Sequence, residues 1–190
     1  MALVDVLLYD DSPRVRISGV ACSLSLEHWS SVRMLLRSGM LPSAVVVHRA
    51  QFEALARSIW LLYSANDAQI SKLTAALSLE SEQAAKNMPL ITDMMHDLEK
   101  NAPPQAFDAL NRFKEISWKA LNSFAHAGIH PIRRHADGYP VRLLQDILRN
   151  ANGLAVLSCF QVAGLSGRQP LQRDILTAST KYPECMPPPL

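Results

Sequence analysis

The chain has 190 residues, 48% of them hydrophobic and 19% charged, a composition that is typical of a globular protein and excludes an intrinsically disordered chain. The formal net charge of +2 comes from 19 basic and 17 acidic residues, so any nucleic-acid-binding surface would have to be a local basic cluster. The longest such cluster, Arg133-Arg134-His135, is too short to predict one.

The cysteines and the uncharged segments indicate a compartment. Cys22, Cys159 and Cys185 are odd in number, lie far apart and form no CxxC pair, which predicts reduced thiols in a reducing compartment. Residues 1–11 have no basic start of a secretory signal, and residues 150–167, the longest stretch without Lys, Arg, Asp or Glu, contain polar residues and three glycines. We therefore expect a soluble, cytoplasmic protein without a membrane-spanning segment.

Two long helices are predicted in the first third of the chain. The first begins at Ser12-Pro13, an N-cap residue followed by a proline in the first turn, and ends at Ser38-Gly39. The second runs from about Pro42 to Ala65 and is apolar on nearly all sides, which predicts burial in the middle of a bundle. Because the break between them is short, we expect the two helices to pack as an antiparallel pair.

Shorter helices are predicted in the middle of the chain. The region from Asp67 to Lys86 is alanine-rich and is expected to form two helical pieces, followed by a short helix that ends near Lys100. Asn101-Ala102-Pro103-Pro104 is a boundary that opens a helix from Gln105 to Ala127. Gly128 is expected to end that helix in the C′ position.

The last third is predicted to contain a polar loop at residues 129–139, a long helix from Pro140 to about Leu165 and a short helix from about Pro170 to Ser179. Residues 183–190 are proline-rich and are expected to be an extended or disordered tail. The fold prediction is therefore all-α, an antiparallel helical bundle of about six to seven helices in one domain over residues 1–182.

A row of charged residues lies on the most apolar predicted helix. Arg49, Glu53 and Arg57 stand at i, i+4 and i+8, so they form a slowly winding column on one face. One interpretation is a solvent-facing ladder of ion pairs. The other is a buried Arg-Glu-Arg set, which would fix helix register or present a guanidinium to an anionic ligand, with Lys119 and Ser123 completing a polar cluster.

A second group of polar residues lies near the end of the helix that ends at Ala127. Lys119, Asn122 and His126 fall on one face, and His126 is in the last turn. The simplest explanation is that an imidazolium there is favoured by the helix dipole, by about 0.3–1 kcal/mol. The alternative is that His126 takes part in chemistry.

These two groups resemble those of a known class of proteins. The residues concerned are Arg49, Glu53, Arg57 and Trp60 on one helix and Leu121-Asn122-Ser123-Phe124-Ala125-His126-Ala127-Gly128 on a later one. They resemble a group of uncharacterised bacterial all-α domains, which look related to the HEPN superfamily. The resemblance covers roughly residues 15–165 and implies a HEPN-like bundle.

The resemblance also implies a possible site for RNA cleavage. HEPN ribonucleases carry an Arg, a polar residue that is often Asn, three more residues and a His near a helix end, in a metal-independent site that typically forms across a dimer. Asn122 and His126 match this pattern, whereas Leu121 occupies the arginine position. Cleavage needs a group that moves the 2′-hydroxyl proton and a cation on the phosphate. His126 suits the first role, and Lys119, one turn back, or Arg49 or Arg57 from the neighbouring helix would have to supply the second.

No cofactor or metal site is predicted. His126 and His130 would share a helical face only if the helix continued through Gly128, and no cysteine or carboxylate adds a convincing third ligand. The sequence also contains no phosphate-binding glycine loop, GxSxG motif or HExxH motif.

Three classes of function remain open from the sequence. The first is a non-catalytic, HEPN-like interaction or regulatory protein that forms a homodimer and binds a protein partner. The second is a metal-independent ribonuclease or RNA-binding, toxin-like protein that uses His126 and Asn122 with Arg49 or Arg57. The third is a bundle that binds a small molecule or anion between the central helix and the His126 helix.

Overall fold

The structure is a computed structural model that describes residues 7–188. Within these residues there are nine α-helices and no β-strand, so the all-α prediction is confirmed. In chain order the helices are α1 (Pro13–Arg37), α2 (Leu41–Tyr63), α3 (Asp67–Thr74), α4 (Leu79–Ala85), α5 (Ile91–Asn101), α6 (Pro104–Ala125), α7 (Ile129–Asp137), α8 (Val141–Ser166) and α9 (Gln169–Thr180). The described part of the chain thus has more helices than the six to seven predicted. No helix in it is long and apolar enough to cross a membrane.

Helices α1 and α2 form an antiparallel pair, as the short break between them predicts. The side chain of Ser12 accepts a hydrogen bond from the Val15 N–H and caps the start of α1. Arg14, in the first turn, donates to the carbonyl of Leu61 at 2.9 Å and to that of Ala65 at 2.6 Å. The Leu61 carbonyl lies in the last turn of α2 and that of Ala65 just beyond it, so one guanidinium joins the start of α1 to the end of α2.

Helix α2 is the centre of the bundle. It packs against α1, α5, α6 and α8, while α9 packs on α8 and α7 packs on α6. Phe52, Leu55 and Trp60 on α2 are fully buried, which stabilises the fold by about 1.5–3 kcal/mol for each large side chain. The side chain of Asn101, just before α6, donates to Ser64, just after α2, at 3.4 Å. Helix α6 therefore runs back along α2 in the opposite direction.

A buried polar seam joins α1, α2 and α8. It consists of Ser18, Ser25, Gln51, Ser58, Ser158 and Gln161. The Ser18 hydroxyl donates to the Ser58 carbonyl at 2.8 Å, and the Ser58 hydroxyl donates to the Ser18 carbonyl at 2.8 Å. The Gln51 amide donates to the Ala151 carbonyl at 2.9 Å. Since buried polar groups are costly unless paired, these bonds fix the register of the three helices.

The predicted loop at residues 129–139 is wrong, because residues 129–137 form helix α7. None of its side chains is buried, and Ile129 and Ile132 are exposed. The segment is short, mostly polar and contains Pro131, and these features favoured a loop. Its polar surface resembles a loop in composition.

The end of α6 also differs from the prediction. Ala127 has a φ of +49° and occupies the left-handed C′ position, whereas Gly128 has a φ of −73° and is the N-cap of α7. Gly128 is needed for a close approach: a Cβ at this position would lie 2.6 Å from the Ser123 hydroxyl oxygen. That oxygen accepts the His130 N–H at 3.2 Å. The corner between α6 and α7 is therefore tight and hydrogen-bonded.

Residues 183–188, expected to be extended or disordered, lie against α8. They begin with a 3-10 turn, and the Asn152 side chain donates to the Cys185 carbonyl at 2.9 Å. A Cβ on Gly153 would come within 2.7 Å of Pro187, so the absence of a side chain there leaves room for the proline ring. Residues 189–190 of the predicted tail lie outside the residues that the structure describes.

Candidate functional site

The first predicted cluster forms in part. Arg49 and Glu53 make a salt bridge, with the Nη2–Oε1 distance 2.9 Å and the Nε–Oε1 distance 3.1 Å. The Arg49 guanidinium also lies over the Trp118 ring of α6, with Cζ 4.9 Å from the ring centroid. Its side chain is 20% exposed, so it is neither a solvated ladder member nor a fully buried ion. Its contacts hold α6 against α2.

Arg57, the third member of the column, is half-buried. Burial lowers the pKa of its guanidinium below the ordinary value, and the nearby Glu53 carboxylate opposes this shift. Among residues 7–188, no carboxylate lies within salt-bridge distance of it. Arg57 therefore lies near Glu53 on the same helix but forms no salt bridge with it.

The second predicted cluster lies at the corner between α6 and α7. His126 is the C-cap of α6 and is exposed, and its N–H donates to the Asn122 carbonyl at 3.2 Å. Leu121 is only 4% exposed and belongs to the hydrophobic core. A cation at that position would be buried in an apolar environment, which is unfavourable without a partner. Lys119 is exposed, and Ser123 is used to hold the α6–α7 corner.

The structure does not join these two clusters. Arg49 meets α6 at Trp118, and His126 lies eight residues farther along α6, about 12 Å at the helical rise of 1.5 Å per residue. Because α6 runs antiparallel to α2, Arg57 is displaced from Arg49 in the opposite direction. In the described residues no hydrogen bond or salt bridge connects His126 to either arginine.

His48, the neighbour of Arg49 on α2, is a buried polar residue that no sequence pattern singled out. It is 2% exposed, and its Nδ1 lies 3.1 Å from the Gln51 Oε1. Its Nε2 is buried with no hydrogen-bond partner among the described residues, and the ring packs edge-on against Phe113 at 5.2 Å. Burial lowers the pKa of His48 to about 4, with the bond to Gln51 acting in the opposite direction. His48 is therefore a neutral imidazole of the core.

A large open cavity of about 1830 Å³ lies between α1, α8 and α9. We call it the α1 groove; it is lined by α1, α8, α9 and residues 182–186. Its apolar lining includes Val20, Leu26, Trp29, Leu148, Val156 and Val162. The third sequence-based hypothesis expected a pocket between α2 and α6, and this cavity lies elsewhere. Sequence patterns did not reveal it because its walls come from helices far apart in the chain.

The charged residues along the α1 groove are mostly basic. Arg16, Arg33 and Arg37 line it, against one acidic residue, Glu27. Arg16 forms a long salt bridge with Asp11 at 3.6 Å. The Arg33 guanidinium lies over Trp29 at 4.7 Å, and in the described part of the chain neither Arg33 nor Arg37 has a carboxylate partner. The end of the groove near the C-terminus of α1 is therefore positively charged.

A cavity of about 280 Å³ on α7 is lined by Ile129, His130, Arg133, Arg134 and Asp137, and within it Arg133 and Asp137 form a salt bridge of 2.9 Å. Within residues 7–188, no three His, Cys, Asp or Glu side chains are grouped so that they could hold a metal ion.

The fold and these cavities define an all-α helical-bundle protein with a long apolar groove on one side. The chain belongs to DUF6988, a family of unknown function, whose model matches residues 22–188. No curated protein and no solved structure matches the chain. The family match agrees with the predicted resemblance to an uncharacterised domain family, and the relation to HEPN proteins stays a prediction.

Proposed function

We propose that this protein is a non-catalytic interaction protein, and that its α1 groove binds an acidic amphipathic helix of a protein partner. The observation that carries the proposal is the groove of about 1830 Å³ and its lining. The groove follows α1 from Arg16 to Arg37, a length of about 30 Å at 1.5 Å per residue. That length suits a bound helix of about 20 residues.

The size and lining of the groove favour a protein ligand over a small molecule. Pockets for small molecules enclose about 300–1,000 Å³ and cover most of the ligand surface. The α1 groove is larger and open, and Val20 within it is 63% exposed. Exposed apolar surface bordered by charges is typical of protein-binding surfaces. An amphipathic helix would cover this surface with its apolar face.

The charges favour an acidic helix. Arg33 and Arg37 stand one turn apart on the groove side of α1, so a partner helix with glutamates along its flank would pair with both. The same charges would repel a basic helix. Electrostatic complementarity therefore supplies the selectivity in this proposal, while the apolar lining supplies most of the affinity.

The ribonuclease hypothesis has less support from the geometry. His126 lies about 12 Å along α6 from the Arg49 contact, and Arg57 is displaced the other way. Leu121 is part of the core. A degenerate, HEPN-like protein that binds a partner without cleaving RNA is consistent with both facts. The Arg49–Glu53–Trp118 contact then acts as a structural link between α2 and α6.

The proposal can be tested with two labelled peptides of about 20 residues, both with leucines at helical spacing on one face. One carries glutamates at the remaining positions and the other carries lysines. Fluorescence anisotropy with the full chain should show the glutamate peptide binding at least about tenfold more tightly, with a difference that shrinks as salt is added.

Two substitutions make this test specific to the groove. Val20→Asp places a charge on the apolar lining and should abolish binding of the glutamate peptide. Ile116→Asp is a matched control, because Ile116 is 72% exposed on α6 and lies outside the groove. Equal binding of both peptides, or unchanged binding to the Val20→Asp protein, would show that the proposal is wrong.

A further inference from the structure

Helix α4 and the residues before it form an acidic segment that exposes apolar side chains. Leu77 is 93% exposed and Leu79 is 79% exposed, while Glu80 and Glu82 lie in the first turn of α4. We call residues 75–82 the acidic segment. A pair of exposed leucines beside two glutamates is the chemistry that the α1 groove is proposed to bind.

We propose that the acidic segment of a second copy of this chain occupies the α1 groove, so that the protein is a homodimer. This inference rests on the proposed function and names a ligand for the basic end of the same groove. In it, Leu77 and Leu79 cover part of the apolar lining, and Glu80 and Glu82 pair with Arg33 and Arg37.

The position of the acidic segment explains why a second copy is required. Helix α3, which precedes the segment, is tied to the start of α1 by the salt bridge between Arg14 and Asp67, at 3.0 Å. Arg33 and Arg37 are in the last two turns of α1, about 30 Å from its start at 1.5 Å per residue. The start of α3 therefore lies at the opposite end of α1 from these arginines, and the acidic segment follows directly after α3.

In a dimer with a two-fold axis, the acidic segment of one copy can reach the arginines of the other. If the axis is perpendicular to α1 near its midpoint, the start of α1 in one copy lies level with the end of α1 in the other. The acidic segment of each copy is then brought to the basic end of the other copy's groove, and the same contact forms twice. Such a closed, self-complementary arrangement is the commonest one among homo-oligomers.

The favoured occupant is a second copy rather than another protein because this chain supplies both halves of the contact. The groove offers arginines without carboxylate partners, and the segment offers glutamates without basic partners, each within the described residues. Charge complementarity between the two surfaces also sets the register of the pair.

Charge reversal tests the contact directly by sedimentation velocity of the full chain over a range of concentrations. The wild type should dimerise. A variant with Arg33→Glu and Arg37→Glu, and another with Glu80→Arg and Glu82→Arg, should each dimerise at least about tenfold more weakly. An equimolar mixture of the two variants should form a dimer again, because both contacts then join opposite charges.

Two controls keep the result specific. Lys119→Glu combined with Arg142→Glu reverses two exposed charges outside the groove and should leave dimerisation unchanged. A synthetic peptide with residues 75–90 of this chain should dissociate the wild-type dimer by competing for the groove. Circular dichroism of each variant establishes that the helices are intact.

The outcomes separate this inference from the proposed function. A wild-type chain that stays monomeric, a dimer that is indifferent to both charge reversals, or a mixture that fails to associate would each overturn the second-copy inference. If the glutamate peptide still binds the groove in any of those cases, the proposed function stands and the partner is another protein. If that peptide also fails to bind, both proposals are wrong.

Discussion

His48 is a fully buried imidazole on the central helix, and its protonation links the fold to pH. Burial lowers its pKa from the ordinary 6.5 to about 4 in the folded protein. Because the folded pKa lies below the unfolded one, the unfolded chain binds the proton more readily. The stability that depends on neutral His48 is therefore fully present above about pH 6.5 and is lost progressively as the pH falls towards about 4.

The expected loss over that range is on the order of 3 kcal/mol in the free energy of unfolding. Urea unfolding at several pH values would measure it. The His48→Leu variant should lose less stability between neutral and acidic pH than the wild type does. His96→Leu, which alters an exposed histidine of α5, should lose as much stability between neutral and acidic pH as the wild type does. An equal loss of unfolding free energy with falling pH in the wild type and in His48→Leu would contradict the prediction.

Arg49 shows what spacing along one helix can and cannot predict. Its pairing with Glu53 was expected from the i, i+4 positions, since that geometry is local and the same in every helix. Its contact with Trp118 was not expected, because it depends on how α6 lies across α2. The hypothesis that Arg49 or Arg57 contacts His126 also depended on how α6 lies across α2, which the sequence does not show.

Arg49→Ala removes both contacts and should lower the free energy of unfolding by about 1–2 kcal/mol. The planar guanidinium stacks on the indole ring, so Arg49→Lys should recover only part of the loss. Lys119→Ala, at an exposed position of α6, should change stability by less than about 0.5 kcal/mol. Thermal or denaturant unfolding checks all three variants, and an unchanged Arg49→Ala protein would exclude a structural role for the cluster.

At the scale of elements, the sequence predicts the long helices well and the corner between α6 and α7 poorly. Helices α1 and α2 were predicted because their apolar residues recur over many turns. Helix α7 was missed because it is short, mostly polar and contains Pro131, as a loop often does. The α1 groove was also missed, since it arises where α1 meets α8 and α9, which lie at the other end of the chain. A pattern within one segment carries no information on such a meeting.

The α6–α7 corner gives two neighbouring substitutions with opposite expected effects. Gly128→Ala places a Cβ 2.6 Å from the Ser123 hydroxyl oxygen and should destabilise the protein by about 1–3 kcal/mol. Ala127→Gly should stabilise it by about 1 kcal/mol, because Ala127 has a φ of +49°, which glycine adopts without strain. Unfolding measurements that give the same sign for both variants would contradict this account of the corner.

At the scale of the whole molecule, the C-terminal residues connect the groove to the rest of the bundle. Asn152 accepts a hydrogen bond from the Trp29 indole N–H at 2.9 Å and donates to the Cys185 carbonyl at 2.9 Å. Trp29, Asn152 and Cys185 all line the α1 groove. The tail is therefore one wall of the proposed binding surface, and its position depends on a side chain that also contacts α1.

Gly153→Ala should detach the C-terminal tail from α8. The new Cβ would lie 2.7 Å from Pro187, so the tail would have to move away from α8. Trypsin should then cleave after Lys181, which is exposed, several times faster than in the wild type, because an attached tail resists local unfolding. Gly164→Ala is the matched control on the same helix, since nothing lies within 4 Å of the added Cβ. It should leave the cleavage rate unchanged, and equal rates for wild type and Gly153→Ala would mean that the proline contact does not hold the tail.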